Sequence, residues 1–290
     1  MDQILTFQHS IVQDLAWALL SPSLIQELPE VSPSLFVQAG IGDTSLEEDL
    51  KLLRQLDERP SILEDFIRHH LRSYRLGLYF ESLIHFWIAY HPSYELVAHS
   101  LQIREAKKTI GEIDFLYVHL PSGRHIHLEV AVKFYLLLGA DWENWDAWIG
   151  PNPKDTLGKK LRNMIAHQTL MTQSEAFLSY EKYASTEWEP RALLKGRLYL
   201  PQSLAERVLP LHISPQTLTG LWMHDESFRM HPIAQDGLPL DRKEWMKGIG
   251  NMDDYQRSIP SKLTKPLQFQ SLSDRTQFVF AMPSGWPANP

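Results

Sequence analysis

The chain has 290 residues, with 28 Lys plus Arg against 35 Asp plus Glu, for a formal charge of −7. That length allows one large domain or two small ones, and 43% hydrophobic with 22% charged residues is globular rather than disordered composition. Cysteine is absent, which excludes disulfides, thiolate metal sites, iron–sulfur clusters and cysteine nucleophiles.

The N-terminal stretch MDQILTFQHSIVQDLAW lacks a basic segment followed by an apolar block. No apolar run approaches the ~20 residues of a membrane-spanning helix. A soluble, cytoplasmic protein with no membrane partner is therefore expected. Net acidity argues against coating nucleic acid by bulk charge, while leaving room for an enzyme with a local basic groove.

Residues 1–75 read as a helical segment packed on the core. Ile11, Leu15, Ala18 and Leu19 recur at helical spacing, as do Leu46, Leu50, Leu53 and Leu56. Ser21–Pro22, Pro29 and Ser32–Pro33 mark turns between them. In the next helix, Leu76–Ile88, the apolar positions 76, 80, 83, 84 and 87 form one stripe, and His91–Pro92 ends it.

Three strands come next, Tyr94–Arg104, Ile110–His119 and His125–Tyr135, joined at Lys107–Lys108–Thr109 and Pro121–Ser122–Gly123 as an antiparallel meander. Residues 139–154 form a loop rich in Trp, Gly and Pro. A helix capped by Asp155 or Thr156 carries Leu157, Leu161, Met164, Ile165 and Gln168 along one side. Gly196–Pro201 and Thr276–Ala281 read as short strands, and the rest beyond residue 215 as loop with short helices. The expected organisation is a core over 76–215 with 216–290 as an extension of the same domain.

Three carboxylates lie in apolar elements, where burial costs several kcal/mol unless the group is paired or bound to a metal. Glu81 lies one turn after Gly77 in the apolar helix, Asp114 lies inside the second strand and Glu129 inside the third. Strand alternation puts His127, Glu129, Ala131 and Lys133 on one face, and adjacent strands bring Asp114 beside Glu129. Such a carboxylate pair suits an oxygen-liking cation, Mg²⁺ or Mn²⁺, which polarises phosphate and activates water. Lys133 would position that water or neutralise developing charge. A structural ion pair is the competing reading.

The helix Glu, then Gly111-Glu-Ile-Asp-Phe-Leu, then a hairpin and Leu128-Glu-Val-Ala-Val-Lys-Phe-Tyr-Leu together resemble the core of the PD-(D/E)XK nuclease-like superfamily. Further segments are Leu76-Gly-Leu-Tyr-Phe-Glu-Ser-Leu-Ile-His-Phe-Trp, Trp148-Ile-Gly-Pro-Asn-Pro-Lys-Asp, Lys160 with His167-Gln168, and Lys195-Gly-Arg-Leu-Tyr. With these the chain resembles, more narrowly, a bacterial family of unknown function, DUF1853.

The resemblance implies an α/β restriction-endonuclease-like core: a central mixed sheet containing the three-stranded meander, flanked by helices. It implies Mg²⁺-dependent hydrolysis of nucleic-acid phosphodiester bonds, with DNA and RNA both open. Carried over by position, Glu81, Asp114 and Glu129 are the metal-binding acids, Lys133 the catalytic lysine, and Lys160 and Gln168 the substrate contacts. The usual Glu-x-Lys pattern would put lysine at 131, where this chain has Ala131. Lys133, about 6.6 Å further along the strand, or Lys159 or Lys160 from the helix, would replace it. The alternative is a catalytically inactive nuclease fold acting as a nucleic-acid or protein-binding module.

His127 beside Glu129 reads as a residue that supports it or touches substrate. His125 with His127 lacks a third ligand for zinc. His69, His70 and His119 are expected at the surface, and Trp142, Trp145 and Trp148 as anchors of the long loop. Walker, GxGxxG and GxSxG patterns are absent.

Overall fold

The computed structural model describes residues 6–28, 31–38, 40–106, 108–204, 209–249 and 258–287. The expected turn residues Pro29 and Lys107 lie outside the described residues. The chain forms two compact units, Met1–Val132 with Leu161–Lys195, and Lys133–Lys160 with Gly196–Pro290.

The first unit opens with four helices: α1 (Ser10–Leu20), α2 (Leu46–Glu58), α3 (Ser61–His70) and α4 (Leu76–Tyr90). A reciprocal capping box starts α2, with Ser45 Oγ accepting from the Glu48 N–H and the Glu48 carboxylate accepting from the Ser45 N–H. Helix α4 is apolar almost all round, and Phe80, Leu83, Ile84, Trp87 and Ile88 are fully buried. It packs against β1 (Tyr94–Glu105) and β2 (Lys108–His119), which pair antiparallel with one another. Next comes β3 (Arg124–Leu137), antiparallel to β2 from His119↔Arg124 to Phe115↔Leu128. The turn between them uses Gly123 at φ +68°, where its N–H reaches His119 O. The meander is as expected, except that His119 is buried and bonded to Ser122 Oγ.

After β4 (Trp148–Ile149), helix α5 (Leu157–Ala166) starts at Thr156, whose Oγ1 accepts the Lys159 N–H at 3.0 Å. This helix stops before Gln168, which instead begins a 3₁₀ segment, Gln168–Gln173. The expected placement of Gln168 on this helix therefore does not hold: at His167, φ −129° and ψ −61° break the helix. Two single turns, α6 (Glu175–Leu178) and α7 (Glu181–Ala184), bring Phe177 and Tyr183 onto Ile103, Ile113, Leu116 and Trp188. Strand β5 (Glu189–Pro201) begins well before the expected Gly196.

The second unit takes over the C-terminal residues of β3 and β5. It adds β6 (Leu218–His224), α8 (Asp225–Met230), α9 (Ile233–Asp236), β7 (Gly237–Leu240), β8 (Leu267–Ser271) and β9 (Phe278–Met282). Strand order runs β5-β6-β9-β8-β7, parallel from β5 to β9 and antiparallel beyond. Helices α8 and α9 cover this mixed sheet through Phe228 and Ile233, packed on Met223, Phe269 and Val279. Trp148 anchors the long loop, buried and donating its indole N–H to Trp142 O. The class is thus α/β with a mixed sheet flanked by helices. Among the described residues, no helix is long and apolar enough to cross a membrane.

Candidate functional site

The site lies in the first unit, where β2 and β3 part. Their pairing stops at Phe115↔Leu128; beyond it β2 continues beside β1 alone. The next residues on the two strands are Asp114 and Glu129, and side chains take over from the backbone ladder. Asp114 Oδ2 accepts the Val130 N–H at 2.9 Å, and Glu129 Oε1 accepts the Asp114 N–H at 3.4 Å. The two carboxylates expected side by side are thus brought together at a fork.

Glu129 is fully buried and has two further donors. Gln168 Nε2 donates to Oε2 at 2.7 Å, and His127 Nε2 lies 2.9 Å from Oε1. Burial pushes the His127 imidazole down to about 3, so it is neutral. A carboxylate only accepts, so the ring proton sits on Nε2 and the Thr172 hydroxyl, at 3.5 Å, donates to Nδ1. Gln168 is held in turn by Asn163 Nδ2, which donates to its Oε1 at 3.2 Å.

Glu81 belongs to a different cluster. Its Oε1 meets His99 Nε2 at 2.8 Å and accepts from Ser100 Oγ at 3.1 Å. Ser100 sits in the left-handed region at φ +49°, opposite Asp114 in the β1–β2 register, where pairing skips from His99↔Phe115 to Leu101↔Ile113. His99 also stacks between Phe115 and His85 of α4, ring centres 4.9 and 4.0 Å away. Burial, then the neighbouring His99, lowers His85 to about 4.

Alternation along β3 explains the separation of these clusters. Leu128 pairs with Phe115 on the α4 side, whereas His127 and Glu129 point the other way, towards the 3₁₀ segment. Among the described residues, no group of three or more His, Asp or Glu side chains is arranged to hold a metal ion.

The two lysines named from the sequence belong to the second unit. Lys133 Nζ donates to Asp155 Oδ2 at 2.6 Å, and Asp155 also accepts from Tyr135. Lys160 is half-buried in the first turn of α5, its N–H on Thr156 O.

Sequence reasoning missed His99, Ser100 and Thr172, although His99 and Ser100 interrupt the apolar run Leu96–Leu101. Lys195 and Arg197 entered it only as part of the family resemblance, with no role assigned. Both are fully buried, and Lys195 donates to Ser21 O at 2.5 Å and Leu19 O at 3.5 Å. The test that found Asp114 and Glu129, a charge inside an apolar strand, would have found these two as well.

No curated protein and no solved structure matches this chain. Residues 13–282 match the model of a family described as a domain of unknown function, DUF1853, and the chain belongs to that family.

Proposed function

We propose that this protein is a divalent-cation-dependent hydrolase of nucleic-acid phosphodiester bonds, built on a restriction-endonuclease-like core. The observation supporting this reading is the fork at which Asp114 and Glu129 replace the β2–β3 ladder, each bonded to the other strand's backbone. Mg²⁺ is commonly held by one or two carboxylates, the rest of its shell being water and substrate phosphate. The pair fits that pattern with oxygen donors only, and Asp114 and Glu129 would hold Mg²⁺ or Mn²⁺. The cation would polarise the phosphate and lower the pKa of a bound water.

His127 and Gln168 act on Glu129. Two side-chain N–H donors favour the charged carboxylate and fix its orientation. Gln168, assigned to substrate by the family resemblance, is in this proposal a positioning residue. Glu81 is engaged with His99 and Ser100 and is left out of the cation's ligand set.

Calorimetric titration of Mn²⁺ with a phosphodiester oligonucleotide present tests this reading. The wild type should bind, the Asp114→Asn/Glu129→Gln variant should not, and DNA or RNA cleavage should follow the same split. A folded wild type that binds no cation under these conditions would overturn it.

A second reading, an inactive nuclease fold that binds nucleic acid or protein, is favoured by one feature. Position 131 is alanine and Lys133 is engaged by Asp155. It predicts oligonucleotide retention without cleavage at any cation concentration.

A further inference from the structure

Arg197 in the second unit is 1% exposed, and among the described residues no carboxylate pairs with it. Its Nη1 donates to Trp245 O at 3.4 Å, and its guanidinium carbon lies 3.4 Å from the centre of the Phe278 ring. The cation–π contact stabilises the charge without satisfying any N–H. Among the described residues, neither Nε nor Nη2 makes a well-aligned hydrogen bond, and the Tyr199 hydroxyl is the polar group that stands nearest to them. Those two nitrogens form the edge of a guanidinium that presents parallel N–H groups, the edge that takes a carboxylate or phosphate in bidentate fashion.

The missing partner is shared by the surroundings. Tyr199, two residues on along β5, projects to the same face, and its hydroxyl stands beside the guanidinium without a well-aligned hydrogen bond to it. Gln268 of β8, paired with Phe280 of β9, has neither Oε1 nor Nε2 bonded, and Trp245 Nε1 is likewise unpartnered. Ring contacts tie these groups together, because Tyr199 and Trp245 both pack edge-on against Phe280, at 5.0 and 4.9 Å. A Cβ at Gly220, the partner of Tyr199 on β6, would lie 2.7 Å from the Tyr199 ring.

Native interiors rarely leave one buried polar group unbonded, and here three neighbouring side chains hold polar atoms without a well-aligned hydrogen bond around a cation that no carboxylate among the described residues pairs with. Trp245 also lines a cavity of about 270 Å³ whose charged wall residues are Arg242, Lys265 and Asp241, with the Arg242 guanidinium 5.6 Å from the indole centre. A donor-rich interior beside a cavity with two cationic side chains to one carboxylate favours an anion.

We propose that the second unit holds a binding site for a small oxyanion, a phosphate or carboxylate group, on the Nε/Nη2 edge of Arg197. Tyr199, Gln268 and Trp245 supply the remaining donors. The site uses none of the residues of the Asp114–Glu129 fork and does not depend on the hydrolase reading.

The test is calorimetry on the full chain in EDTA, with inorganic phosphate, acetate and a nucleoside monophosphate as separate probes. Binding of inorganic phosphate identifies a free-ion site, binding of the nucleotide alone a phosphate carried by a larger ligand, and binding of acetate alone a carboxylate site. Arg197→Lys keeps the charge but loses the parallel pair, and should weaken binding at least about tenfold. Should that variant fail to fold, Gln268→Leu and Tyr199→Phe, which leave Arg197 in place, should each still weaken binding. Asp114→Asn/Glu129→Gln should bind the anion as the wild type does. No binding of any probe at millimolar concentration would overturn the proposal, as would binding unaltered in all the folded variants at Arg197, Tyr199 and Gln268.

Discussion

His127 Nε2 lies 2.9 Å from Glu129 Oε1, and neither side chain reaches solvent. The pair is a neutral donor on a buried carboxylate, so removing the donor leaves a charge short of one bond in a medium that supplies no water. His127→Phe should cost roughly 1.5–3 kcal/mol, the range for hydrogen bonds to charged groups. Gln168→Leu should cost a similar amount from the other oxygen. Urea denaturation measures both, and losses below about 0.5 kcal/mol would mean that Glu129 is not sustained by these bonds.

The same burial predicts a pH dependence. His127 and His85 are pushed down to about 3 and about 4, against about 6.5 in the unfolded chain. Below about pH 6.5 the unfolded state therefore binds protons that the folded state refuses. The contribution of both groups to stability is fully present above that pH. It is lost progressively as pH falls through the unfolded value towards the folded ones. In NMR titrations both imidazoles should stay neutral from pH 8 to pH 5. A midpoint near 6.5 for His127 would contradict its bonding to Glu129 as a neutral donor.

How much of this was legible depended on where the signal lives. The helix over Leu76–Tyr90 and the meander announced themselves because their apolar patterns are long and their turn residues local. Gly123 has the positive φ that the turn needs. Asp114 and Glu129 stood out for the same reason, as charges within such patterns. Strands β6 and β8 did not, because polar residues or glycine sit in their interior, and β7 did not because Gly237 and Pro239 are turn-type residues. Gln268 and Gln270 are buried on β8, where alternation alone would place them outward. Glu81 was expected with the strand acids. Its actual partners, His99 and Ser100, depend on a left-handed residue in β1, which composition does not announce.

Gly196 carries a sharper constraint. It lies on β5 at φ +150°, and a Cβ there would fall 1.7 Å from Lys133 O on β3. That neighbour is backbone, so no side-chain rotation relieves the clash. Gly196→Ala should lose several kcal/mol, seen as insoluble expression or a fall of well over ten degrees in Tm. A near-wild-type Tm would mean that β3 and β5 do not approach this closely.

Lys133 decides between the two readings of function. It donates to Asp155 at 2.6 Å, and both side chains are about one-third exposed, so the ion pair contributes little to stability, about 1 kcal/mol or less. Lys133→Met and Asp155→Asn both remove this ion pair, and each should cost the fold little. Their effects on chemistry differ. If lysine assists hydrolysis, Lys133→Met should lower the cleavage rate about a hundredfold or more while Mn²⁺ binding is retained, because general electrostatic assistance of this kind supplies a few kcal/mol at the transition state. Asp155→Asn, which leaves the ammonium in place, should keep most of the activity. Equal activity in the two variants would remove Lys133 from the mechanism and leave Ala131 with no lysine on its own strand to replace it.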